Sequence, residues 1–248
     1  MEITLDYSEL CALLAEAGLT APVGLDAAHF PPLNDPEKQA LLAAGRAKLQ
    51  DRDAAAGPAL VAALAAPAAV LHATRVQPGE HERHLWFFYT PAQTVRLQKP
   101  DQNHYRLTAV SGTSALLDQV HNFLPLQPAP PELTYRVRLP YDDFLVLRDL
   151  ATEWDEVPAL EILEADGLDL VSSRDLFDSA VDPDWRGIID CLAYQGQVVT
   201  GQATLRVLQG AEISWLIRPS TGDNLVAETA QPGLYQEALA KAWRTVLA

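Results

Sequence analysis

One ordered series of apolar, polar and turn segments is written twice along this chain, and that repetition constrains its fold more than any composition does. Ile3-Thr4-Leu5-Asp6-Tyr7-Ser8-Glu9-Leu10 returns 134 residues later as Val137-Arg138-Leu139-Pro140-Tyr141-Asp142-Asp143-Phe144. Both copies read apolar, polar, apolar, cap, Tyr, a short alternating run that turns into a helical one. Pro36 to Gly45 resembles Pro158 to Gly167, and a helix starting at Pro58 resembles the segment starting at Pro183 with Trp185, Ile188, Ile189 and Leu192. Val70-Leu71 is matched by Val198-Val199, and Leu85-Trp86-Phe87-Phe88 plus Pro91 by Ile213-Ser214-Trp215-Leu216 plus Pro219. Last, Thr108-Ala109 and Gly112 precede one terminal helix as Thr229-Ala230 and Gly233 precede the other. There Leu116, Val120, Phe123 and Leu124 match Leu239, Trp243, Val246 and Leu247 at a spacing of 123.

Within the first copy, a strand from Glu2 to Leu5 is expected to feed a helix capped by Asp6, with Glu9 completing the box and Gly18 past its end. Helices follow after Asp35, ending at the polar stretch Gln50 to Asp53, and from Pro58, the first helical position, to a break at Pro67. Strands are expected over 69–76, 83–89, 94–99 and 105–110, then a helix over 114–124. The class is therefore α+β: a pseudo-twofold duplicated module with a central, mainly antiparallel sheet and helical clusters at both ends. Residues 1–124 form one half, 125–132 a connector with four prolines between Pro125 and Pro131, and 133–248 the other half. A half with about four strands would leave a sticky edge, so the halves are expected to join edge to edge into one cooperative domain rather than hang as two tethered ones.

Charge narrows the function. The 18 Lys and Arg against 33 Asp and Glu leave −15, which repels nucleic-acid phosphates and anionic lipid. The uncharged run Ala54 to Thr74 is long enough to span a bilayer, but Gly57, Pro58 and Pro67 interrupt it and most of its apolar residues are alanines. A buried helix-strand corner is expected there, with neither a membrane nor a nucleic-acid partner. Cys11 and Cys191 signal neither disulfide framework nor zinc site, and Met1 to Asp6 has no secretory pattern, so a cytoplasmic location is expected.

No catalytic signature emerges. His81-Glu82-Arg83-His84 has its histidines at i and i+3, not the i and i+4 of HExxH, and follows the turn sequence Gln77-Pro78-Gly79-Glu80. GxSxG, GxGxxG and GxxxxGK[ST] are absent, and Ser111-Gly112-Thr113-Ser114 reads as ordinary helix capping. The helix at Pro58 has no Arg, Lys, Asn or Gln with which to read bases, which removes a helix-turn-helix role. Neither cofactor, metal nor catalytic residue is expected.

The acidity is uneven. Residues 125–248 hold 20 acids and 9 bases, and Asp142 to Asp190 alone holds 15 acids and 3 bases. This reads either as a solvated helical face or as a docking surface steering a cationic partner. Trp154 and Trp185 lie within it, as contact-patch residues or as core.

The strand-helix start, the helix "LLAAGRAKLQDRD", the helix "PALVAALAAP" running into strands, and the late hairpin "ATLRVLQGAEISWLIRP" before a terminal helix together resemble the EspG family, cytosolic chaperones of type VII secretion. The likeness spans nearly the whole chain through element order and apolar pattern. It implies a protein without cofactor or catalysis that binds PE–PPE heterodimers by capping an apolar helical tip. It also implies contacts from the loop between the second and third strands, here Gln77, Pro78, Gly79, Glu80, His81 and Glu82, and from the C-terminal helical cluster. That loop is shorter than the family's variable one. The expectation is a non-enzymatic chaperone or adaptor for a helical client, a secretion substrate among the candidates, with those six residues, Trp154 and Trp185 as partner-binding positions. The alternative is a small-ligand sensor or enzyme using the crevice between the halves.

Overall fold

Asp6 ends a strand and starts a helix in one residue. In the computed structural model its carboxylate accepts the Glu9 N–H at 2.9 Å while the Glu9 carboxylate accepts the Asp6 N–H at 2.7 Å, the reciprocal box expected from the sequence. Strand β1 (Glu2–Asp6) and helix α1 (Tyr7–Glu16) meet there. The structure describes residues 1–25, 30, 35–50, 57–130, 132–231 and 233–248. Asp51 to Asp53, expected to end the second helix, Ala54 to Ala56 at the head of the uncharged run, and Pro131 of the connector lie outside the described residues.

The first half continues with α2 (Asp35–Gln50), α3 (Gly57–Ala65), β2 (Ala69–Val76), β3 (Arg83–Tyr89), β4 (Thr94–Gln98), β5 (His104–Val110) and α4 (Gly112–Phe123). The second repeats the order: β6 (Arg136–Pro140), α5 (Tyr141–Glu153), α6 (Glu156–Ala165), α7 (Leu170–Val181), β7 (Trp185–Gln195), β8 (Val198–Gln209), β9 (Ser214–Pro219), β10 (Asn224–Thr229) and α8 (Leu234–Leu247). The strands form one sheet in the order β1-β5-β4-β3-β2-β7-β8-β9-β10-β6, every neighbouring pair antiparallel. Each half contributes five strands in mirrored order, and β2 joins β7 at the centre with Ala73 opposite Ile189 and Leu71 opposite Cys191. The edges that remain, β1 and β6, are five residues each, short enough to be poor templates for further pairing.

Alternation along the strands assigns each side chain to one of two faces. Leu71, Phe87, Ile189, Val207 and Leu216 point to a face covered by α4 and α8, where Leu116, Val120, Leu239 and Trp243 close the core. On the other face α1 and α3 cover β1 and β3 to β5 through Leu10, Leu14, Leu60 and Leu64. At the far end Leu163 of α6 and Leu176 of α7 cover β6, β9 and β10 through Leu139, Trp215, Ile217 and Leu225. Helices α1 and α2 approach so closely that a Cβ at Gly45 would run into the Ser8 carbonyl.

Three sequence expectations are corrected. The segment from Pro183 is not the partner of the Pro58 helix; it is β7, burying Trp185, Gly187, Ile189 and Cys191 with period two. The counterpart of α3 in element order is α7, capped by Asp169, which accepts from the Val171 and Ser172 N–H groups. The strand matches therefore slip by one: Val198-Val199 lies in β8, and Ser214 to Leu216 in β9. The proline connector packs along the body of the fold: the Ala129 N–H donates to the Ala230 carbonyl at 2.7 Å, and Leu126 and Ala129 are buried. Ser111 stands at the N-cap of α4 but its hydroxyl makes no cap hydrogen bond.

Candidate functional site

The two halves follow one plan, yet they finish their outer helices differently. Helix α1 buries Leu10, Leu13 and Leu14. Its counterpart α5 buries only Ala151, and leaves Phe144 and Leu147 half-buried and Tyr141 and Val146 exposed. Between α5, α7 and the sheet lies a groove of about 750 Å³. Its walls carry Tyr141, Phe144 and Leu147 from α5 and Leu176, Phe177 and Val181 from α7. Its floor carries Thr74 and Val76 from β2, Arg186 and Ile188 from β7, and Arg206 and Leu208 from β8. The site thus straddles the seam between the halves, with Ile188 41% exposed. Apolar walls with a few polar groups are the usual build of a binding cleft.

Trp154 stands at the mouth. Helix α5 ends on it in the left-handed conformation, φ 61°, the one non-glycine residue with positive φ among those described. The Trp154 N–H donates to the Ala151 carbonyl and the Asp155 N–H to that of Leu150, a helix ending that glycine normally serves. The ring is 69% exposed. A bulky residue held in left-handed backbone with its ring in solvent is a costly arrangement that packing does not explain. On its far side lies a hollow of about 570 Å³ lined by Glu156, Asp175, Asp178, Asp182 and Glu212. Burial, then the carboxylates of Asp178, Glu212 and Asp169, push Asp175 above the usual carboxylate range.

The other sequence candidates separate. Gln77 to Glu80 form a tight turn, with the Glu80 N–H on the Gln77 carbonyl at 3.1 Å and Gly79 at φ 74°. Pro78, Gly79, Glu80, His81 and Glu82 are exposed, and Glu82 reaches the groove rim. Trp185 does not belong to the patch: alternation along β7 turns it to the opposite face from Arg186 and Ile188, where it is buried under the Arg75 guanidinium, 5.0 Å from its ring centroid.

His84 meets a partner that local spacing did not disclose. His72 Nε2 lies 3.1 Å from His84 Nδ1, and both rings stack on Trp86 at 4.9 and 5.1 Å. The β2–β3 register makes this cluster, setting His72 opposite Trp86 and Thr74 opposite His84. No group of three or more His, Cys, Asp or Glu among the described residues is placed to hold a metal ion. Burial raises Cys11 to about 11 and Cys191 to about 12, far from a nucleophilic thiolate. Among the described residues no helix is long and apolar enough to cross a membrane.

No protein-family model matches the chain, and no curated protein does. Its structure is similar to that of the type VII secretion system chaperone EspG5 of Mycobacterium tuberculosis, solved in complex with the PE25–PPE41 dimer. The TM-score is 0.75 at 15% sequence identity, over 99% of this chain and 97% of that one. At that identity the likeness speaks for architecture alone: the described residues, with their ten-stranded antiparallel sheet and two sets of helices, have the fold of EspG5.

Proposed function

We propose that this chain is a non-enzymatic cytosolic chaperone or adaptor that holds a helical segment of a client protein in the groove between α5, α7 and the central sheet. The observation that carries this reading is the unfinished second helical cluster: α5 leaves Phe144 and Leu147 half-buried around a groove into which a helix face could pack. This reading takes as contacts Trp154, at the groove's mouth, and the turn from Gln77 to Glu82, of which Glu82 reaches the groove rim. The EspG5 neighbour, solved with a protein dimer, supports a protein client, and a secretion substrate is the client we favour.

The test is affinity capture from host lysate with three baits: the native chain, Trp154→Ala and Ile188→Glu. Both changes lie at exposed positions and should leave the melting temperature within a few degrees of the native value. A stoichiometric partner on the native bait that both variants release supports the reading. A native bait that retains no stoichiometric protein, or a partner indifferent to both variants, overturns it.

A further inference from the structure

Two arginines on the groove floor have no carboxylate partner among the described residues of a chain that carries 33 acidic residues. Among the described residues of the acidic second half, Arg136 and Arg218 engage Glu228, Arg174 engages Glu156, and Arg148 engages Asp149. Arg138 donates instead to the Thr221 carbonyl and hydroxyl and Arg244 to the Ala240 carbonyl, while Arg186 and Arg206 engage no carboxylate, and the Arg206 guanidinium lies over the Phe144 ring, 5.4 Å from its centroid. In the β7–β8 register Arg186 faces Leu208 and Ile188 faces Arg206. The floor is thus a checkerboard in which each cation stands beside an apolar side chain and diagonal to the other cation. Two diagonal guanidiniums repel, and an arriving anion relieves that repulsion. Among the described residues, Glu82 is the lone carboxylate lining the groove, while the hollow beyond Trp154 is lined by five carboxylates and no base.

Resting on the client-binding reading above, the geometry points to the client's chemistry: the groove takes an amphipathic helix whose apolar stripe is flanked by carboxylates, not by lysines. Carboxylates one helical turn apart stand about 5–6 Å from each other, and diagonal cross-strand positions about 7–8 Å. Long arginine side chains span the difference and bind carboxylate through paired N–H donors. The acidic hollow beside the groove repels the same helix if it strays, which fixes its position. The net charge of the second half alone argues for a cationic partner; the placement of its arginines reverses that expectation at the site itself.

The test uses two labelled synthetic helical peptides with identical apolar stripes, one flanked by glutamates and one by lysines, titrated with the full chain by fluorescence anisotropy. The glutamate peptide should bind at least tenfold more tightly and weaken as NaCl is raised. Arg186→Glu with Arg206→Glu should invert the preference, and Arg186→Gln, at an exposed position that leaves packing untouched, should lower it severalfold. Ile188→Glu should weaken both peptides. Equal affinities, or a preference for lysine in the native chain, overturn the charge assignment and leave the groove as a client site. Binding of neither peptide overturns the groove as a helix site altogether.

Discussion

Lys48 of α2 reaches across to the Asp6 carboxylate that caps α1, with Nζ 2.5 Å from Oδ2. The contact ties a helix end to the helix packed on it, over 42 residues of sequence. Burial alone would raise Asp6, but the hydrogen bonds from Lys48, the Ser8 hydroxyl and the Glu9 N–H prevail and hold it at about 2, below the ordinary 3.8. A depressed carboxylate stabilises fully above its unfolded value and ceases to as pH falls through its folded one. Between pH 5 and pH 2 the native chain should therefore lose about 1–2 kcal/mol more than Asp6→Asn, which keeps a capping oxygen without the charge. Urea unfolding across that range checks it, and parallel curves would refute the assignment.

Trp154 should trade stability for binding. Trp154→Gly removes the left-handed backbone penalty at an exposed position and should stabilise the chain by about 0.5–1 kcal/mol, after glycine's own entropy cost. The same change should cost client affinity tenfold or more if the ring is an anchor. Chemical denaturation alongside the peptide titration separates the two effects, and a fall in stability would mean that the ring is structural.

Gly45 is the residue that lets α2 lie on α1. Gly45→Ala raises helix propensity by about 1 kcal/mol but drives its methyl into the Ser8 carbonyl, which is backbone and cannot rotate away. The net outcome should be a loss of about 2 kcal/mol. A neutral or stabilising Gly45→Ala in thermal and urea melts would contradict the close helix contact.

We propose that the two halves, residues 1–124 and 133–248, unfold as one domain, because Ile189, fully buried, lies opposite Ala73 across the β2–β7 seam. Ile189→Ala should destabilise the whole by about 2–4 kcal/mol and leave a single transition. Tryptophan fluorescence and far-ultraviolet circular dichroism should trace coincident urea curves in both proteins. Two resolved transitions would show halves that merely touch.

Features that rest on contacts a few residues apart were legible before any fold was known. The Asp6 box, the turn at Pro78-Gly79, and the bounds of β2 and β3 all follow from chemistry that acts within four residues. The duplication was legible as order, but its alignment slipped where Pro183 suggested a helix start. The alternation of Trp185, Gly187, Ile189 and Cys191 marks a strand, and a short apolar run behind a proline satisfies either period.

What the sequence by itself determined is the α+β plan, the repetition and the absence of familiar catalytic motifs, since each is carried by local pattern or composition. Tertiary structure alone decided that β2 meets β7, that His72 finds His84, that Trp185 is core while Trp154 is surface, and that Arg186 and Arg206 share a groove floor. All four are matters of strand register or helix docking between segments distant in sequence. A one-residue shift of register turns every side chain of a strand to the other face, and local pattern does not encode which partner a strand selects.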